Sequence, residues 1–247
     1  MRFRYLQSVL DTHVVSEDAR AGIEAILARI DPVFFSFMLE VGSHAGLARA
    51  EALLRAQCAT LQFGAIQLAD DQADGELTYL QPQRAPTLQA LLLTLANRCV
   101  LRSQVPPAVL GELADDFLCV GTTHLWELGA SSSAWTIEHA RRAAEGLNGR
   151  QYRAYFRLMT HGTPRGEMDA AREGELFGRV LHVAGDFASA DARWLRLDHA
   201  DRRALALWAR EQAEELLRFA EAPTRLQLGR LLGLLEGALA ACGPEPR

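Results

Sequence analysis

Apolar residues recur every three or four positions through most of the chain, while alternating runs rich in Val, Ile and Thr are nearly absent. The first spacing lines one face of an α-helix; the second would mark a half-buried strand. The sequence therefore predicts an all-α protein of about ten helices, at residues 17–29, 32–45, 47–74, 87–102, 106–129, 135–147, 150–160, 168–190, 199–220 and 223–241. Breaks fall where Pro or clustered Gly and Ser interrupt the pattern: Asp31-Pro32, Gln81-Pro82 with Ala85-Pro86, Pro106-Pro107, Gly129 with Ser131-Ser132-Ser133, Gly162-Thr163-Pro164 and Ala222-Pro223. None is long enough to be a domain linker, so residues 1–247 are expected to form a single domain. Ser16, Thr87 and Thr163 have the character of helix starts, where a side-chain oxygen caps free backbone N–H groups.

Composition narrows the function classes. With 49% of its 247 residues hydrophobic, the chain can bury a sizeable core. A net charge of −5 gives no overall attraction to nucleic acid or to an anionic membrane, so any anion must be met locally. All 26 basic residues are arginine, which excludes a Schiff-base or P-loop lysine while leaving forked donors for phosphate oxygens. Cys58, Cys99, Cys119 and Cys242 are scattered and form no CxxC pair. There is no apolar signal core and no long uncharged apolar run, so the expectation is a cytoplasmic protein without stable membrane insertion. G-x-S-x-G and glycine-rich phosphate loops are absent, and His44, His139, His161 and His199 lack metal-ligand spacing.

One segment stands out chemically. An apolar, small-residue-rich helix runs through Leu61 to Leu68 directly into Asp70-Asp71-Gln72-Ala73-Asp74. In a helix Asp70 and Asp74 share a face one turn apart, with Asp71 about 100° away. Such crowding is costly unless a cation neutralises it, and hard carboxylate oxygens suit Mg2+, which takes one or two of them together with substrate phosphate oxygens. The acidic helix end also opposes the helix dipole, a local rule violation of the kind found at functional sites.

Asp70, Asp71 and Asp74 match, residue for residue, the DDxxD motif of the trans-prenyl diphosphate synthases, and at this point the sequence resembles that family of the class I isoprenoid synthase superfamily. The resemblance implies an isoprenoid-synthase-like bundle around a central cavity, Mg2+ as cofactor, a prenyl diphosphate as substrate and a homodimer. Downstream, Gly178-Arg179-Val180-Leu181-His182-Val183-Ala184-Gly185-Asp186-Phe187 is similar to the family's second motif helix, GxxFQxxDD. There His182 stands for the glutamine, Gly185 replaces the first aspartate, Asp186 is retained and Ser189 replaces the last. By the same resemblance Asp70, Asp71, Asp74 and Asp186 are the candidate metal and catalytic residues. Arg84, Arg29 and Arg157 are candidate diphosphate ligands, and Phe63, Gln67, His124 and His182 line the pocket.

The departures shape the expected activity. Where the family carries GKRxRP, this chain has Leu27-Ala28-Arg29-Ile30-Asp31-Pro32, and its Lys-Thr pair aligns with Met159-Thr160. Chain elongation holds two diphosphates, one on metals and one on basic side chains, and the basic site is dismantled here. Ionising one allylic diphosphate asks only for metals, arginines and a water-free apolar pocket. The expectation is thus a Mg2+-dependent enzyme of isoprenoid biosynthesis, transferring or cyclising a prenyl group. The rival is a non-catalytic regulatory homologue that pairs with an active prenyl synthase; a blander alternative is an unrelated helical protein with a fortuitous DDxxD.

Overall fold

The protein, seen in a computed structural model, is described over residues 9–12, 16–30, 33–130 and 135–243. Those residues contain helices and turns and no strand, as the periodicity predicts. They form two compact units, residues 1–105 and 106–247.

The first unit is built from α1 (Glu17–Leu27), α2 (Val33–His44), α3 (Arg49–Ala73) and α4 (Ala85–Leu101). Ser16 caps α1 by accepting from the Ala19 N–H at 3.4 Å, and Glu17 and Asp18 suit the positive end of the helix dipole. The long α3 buries residues around much of its circumference, among them Ala52, Ala56, Ala59, Leu61, Ala65 and Leu68. A helix apolar on most sides belongs at the centre of its unit, and α3 packs against α1, α2 and α4. Small residues set these approaches: a Cβ on Gly22 would lie 2.8 Å from Leu88, and one on Gly64 3.2 Å from Leu27. A 3-10 turn over Pro82–Arg84 leads into α4, which begins two residues before the expected Thr87 with Pro86 in its first turn.

The second unit comprises α5 (Pro107–Ala130), α6 (Ile137–Ala144), α7 (Arg150–Thr160), α8 (Glu167–Ser189), α9 (Ala192–Arg196), α10 (His199–Leu217) and α11 (Ala222–Ala241). Thr136 and His139 form a reciprocal cap on α6, which accounts for that histidine structurally. Instead of a break between 147 and 150, a π-helical turn over Glu145–Gly149 joins α6 to α7 without interruption. α8 is the centre of this unit, packing on α7, the π turn, α10 and α11. Gly174 and Gly178 allow the α7 side to come close, since a Cβ there would lie 2.4 Å from the Tyr152 carbonyl oxygen and 2.0 Å from that of Asn148. Ala190, at φ 54°, closes α8 in the left-handed conformation. The five-residue α9, capped by Asp191, is too short for periodicity to reveal. The expected start at Thr163 is displaced to Glu167, where Gly166 supplies no side-chain cap. The breaks at Asp31-Pro32 and Ser131-Ser132-Ser133 lie outside the described residues.

Candidate functional site

The three motif aspartates sit in different surroundings at the end of α3. Asp70 is half-buried, Asp74 is exposed at the C-cap, and the Asp74 N–H donates to the Asp70 carbonyl at 2.9 Å. Asp71 points inward, 2% exposed. Both of its carboxylate oxygens are engaged: Gln67 Nε2 donates to Oδ1 at 2.6 Å, and the Tyr79 hydroxyl donates to Oδ2 at 2.6 Å. Arg29 Nε lies 3.8 Å from the same Oδ2, and its guanidinium stands 5.4 Å over the Tyr79 ring. Burial and the hydrogen bond to Asp71 push the Tyr79 phenol well up, so it stays a proton donor. Gly75, at φ 75°, turns the chain so that Tyr79 can reach back.

Of the other expected site residues in the first unit, two gather at Asp71. Gln67 and Arg29 act on Asp71, while Phe63, one turn before Gln67, stacks on Phe34 with ring centroids 4.6 Å apart. Arg84 donates to the Asp18 carbonyl oxygen at 2.9 Å. Tyr79 is the functional residue that sequence reasoning misses: it follows the motif in a loop, and no periodicity or spacing marks it.

The donor set at Asp70 and Asp74 fits Mg2+ of one particular kind. Among the described residues no three His, Cys, Asp or Glu side chains converge as a cage. Two carboxylates one helical turn apart nevertheless match an ion that completes its shell with water and substrate phosphate oxygens.

In the second unit, Asp186 lies in the last turn of α8, one turn after His182, with His182 Nε2 3.6 Å from Asp186 Oδ2. Beside them Asp191 accepts from Arg193 at Oδ1, from Nε at 3.0 Å, and at Oδ2, from NH2 at 3.2 Å. Arg193 NH1 lies 3.0 Å from Oε1 of Glu127, which is buried in α5 near His124 in sequence. Burial raises the Asp191 carboxyl, but the fork from Arg193 and the nearby His182 outweigh it and hold the group below the usual carboxylate range. Asp198 caps α10 by accepting from the Asp201 N–H at 2.8 Å. Arg157 is buried in α7 and pairs with Glu112 and Asp116 of α5; Arg150 and Arg153 approach the same Asp116 at 3.4 and 3.5 Å. Burial pushes the Asp116 carboxyl up despite these guanidiniums. Glu127 is another residue invisible to motif reading, since a lone glutamate on an apolar helix carries no spacing signal.

The described residues fold as an all-α bundle. Among solved structures the chain is similar to the geranylgeranyl pyrophosphate synthetase of Pyrococcus horikoshii Ot3, with a TM-score of 0.63 and 18% identity over 96% of this chain and 84% of that one. The sequence matches no family model and no curated protein. Among the described residues no helix is long and apolar enough to cross a membrane, and none of the four cysteines is disulfide-bonded.

Proposed function

We propose that the protein is a Mg2+-dependent cytoplasmic enzyme of isoprenoid biosynthesis that binds an allylic prenyl diphosphate and ionises it, with residues 1–247 acting as one functional domain. The observation that carries this reading is the division of labour at the end of α3. Half-buried Asp70 and exposed Asp74 stand one helical turn apart at the helix end, while Asp71 is turned inward and fastened by Tyr79, Gln67 and Arg29. The similarity in fold to a geranylgeranyl pyrophosphate synthetase supports the substrate class.

In this reading Asp70 and Asp74 would hold Mg2+, which would stabilise the negative charge that the departing diphosphate takes up. Arg84 exchanges its carbonyl partner for diphosphate oxygens, a charge-assisted bond stronger than the one it gives up. Arg29 stands beside Asp71 and adds positive charge at the same helix end. Phe63 on Phe34 presents apolar surface that excludes water from the cation. His182 and Asp186 belong to a further, weaker acidic site, and His124 to the pocket lining. Arg157, held by Glu112 and Asp116, contributes to scaffold rather than to diphosphate.

The non-catalytic reading has one observation in its favour. At the weaker acidic site Arg193 already lies between Asp191 and Glu127, so a guanidinium balances carboxylates there without a metal. One assay separates the two. Purified protein is incubated with geranyl, farnesyl or geranylgeranyl diphosphate and Mg2+, with and without isopentenyl diphosphate, and released pyrophosphate and products are measured. Mg2+-dependent pyrophosphate release without isopentenyl diphosphate is expected. No release from any substrate, together with an altered product length when a partner prenyl synthase is added, overturns the enzyme in favour of the regulatory subunit.

A homodimer belongs to the same proposal. Gly111, Ala114, Leu118, Gly121, Leu125 and Gly129 form an exposed stripe along α5, with Leu118 66% and Leu125 71% exposed. This is the three- and four-residue spacing by which one helix packs on its twin.

A further inference from the structure

The first unit contains a cavity of about 360 Å3 at the opposite end of α3 from the aspartates. It is bordered by α3 at Leu53, Leu54 and Gln57, roughly 20 Å along the helix axis from Asp70. Val9 and Cys99 complete an apolar wall, and both are buried. Arg98 and Arg102, one turn apart at the end of α4, stand on the rim and are exposed. The volume lies within the range of small-molecule sites, and an apolar wall with a few convergent polar groups is their usual make-up.

The two guanidiniums distinguish this cavity from a packing defect. Elsewhere in the unit Arg20 pairs with Asp11, Arg29 with Asp71 and Arg55 with Glu51. Among the described residues neither the Arg98 nor the Arg102 side chain has an ion-pair or hydrogen-bond partner. Glu51, a turn before Leu54, is occupied by Arg55 at 2.6 Å and by the Gln104 N–H at 2.9 Å, so its charge does not offset theirs. Their field reaches into the cavity: burial pushes the Cys99 thiol up to about 11, and both arginines pull against that rise. Gln57, 2% exposed, adds an amide to the wall.

We propose that this cavity is a separate binding site for a hydrocarbon chain with an oxyanion head, the chain lying along Leu53, Leu54 and Val9 and the head resting between Arg98 and Arg102. Two forked donors one turn apart match the several oxygens of a phosphate or carboxylate, and the apolar wall rewards the chain. The site does not depend on the reaction proposed above, and it offers that enzyme a place where an isoprenoid phosphate or a fatty acid could act on it from a distance.

Isothermal titration calorimetry with the full chain tests this, using dodecyl phosphate, dodecanoate and dodecanol below their micelle concentrations and without Mg2+. Saturable binding of one dodecyl phosphate or dodecanoate per chain, about tenfold or more tighter than dodecanol, is expected, and the tighter of the two heads identifies the source. The double variant Arg98→Gln/Arg102→Gln, whose side chains are exposed and support no fold contact, should lose that tenfold preference while binding dodecanol unchanged. Leu54→Trp, which fills the cavity, should abolish binding of all three. Equal affinity for dodecyl phosphate and dodecanol, or wild-type affinity in the double variant, overturns the proposal. Asp70→Asn separates the two sites: undiminished binding places the ligand here, and loss of binding in that variant assigns it to the aspartate end and overturns this inference.

Discussion

Three aspartates that are alike in the sequence have unlike tasks in the structure, and substitutions should expose the difference. Asp71→Asn keeps an acceptor for Tyr79, and Gln67 can turn its amide to face the new NH2, so fold and Mg2+-dependent pyrophosphate release should largely persist. Under the proposed function, Asp70→Asn and Asp74→Asn should fold normally yet reduce that release by about a hundredfold or more, because each would remove a charge offered to Mg2+. Tyr79→Phe leaves a buried carboxylate oxygen without its donor and should cost about 1–3 kcal/mol, read as a lowered melting temperature. Asp191 provides a pH signature. Its carboxyl is held below the ordinary range in the folded state, so its contribution is complete above the unfolded carboxyl's pKa and disappears as pH falls through the folded value. Melting temperatures of wild type and Asp191→Asn should therefore differ near neutral pH and converge in acid; a gap that persists in acid would deny Asp191 this role. The sequence makes the acidic trio visible because its members are adjacent. It conceals Tyr79, Glu127 and the inward turn of Asp71, which depend on burial and on a loop folding back.

At the level of the elements, hydrophobic spacing locates the long helices within a few residues, because each needs an apolar face to pack. It fails where a feature answers to a backbone contact instead. The π turn over Glu145–Gly149 leaves composition unchanged, and only the closeness of Asn148 to Gly178 shows why the helix widens there. The Gly174 and Gly178 pair sits in an ordinary amphipathic pattern, yet both positions are filled by neighbouring carbonyl oxygens. Gly178→Ala and Gly174→Ala should each destabilise the protein by about 1–3 kcal/mol or more, since backbone cannot move aside as a side chain can. Gly233→Ala in α11, which meets nothing within 4 Å, should instead gain up to about 1 kcal/mol from helix propensity. Thermal melts of the three variants compare these outcomes directly, and equal shifts would contradict the tight approach of α7 to α8.

For the whole molecule, the stripe on α5 predicts a dimer by light scattering after size exclusion. Leu118→Glu with Leu125→Glu should yield monomer, because paired like charges would have to be buried in the interface; a double variant that remains dimeric would place the contact elsewhere. One further property follows from the brackets that tie α5 to its neighbours, where Arg150, Arg153 and Arg157 surround Asp116 and Arg193 reaches Glu127. A guanidinium keeps its proton through any alkalinity in which the chain itself survives. Strong base therefore has no handle on these guanidiniums, and alkaline loosening must enter elsewhere, through the Tyr79 phenol and the buried Cys58 and Cys99 thiols, whose protons burial holds on in the folded state and which the unfolded chain gives up first.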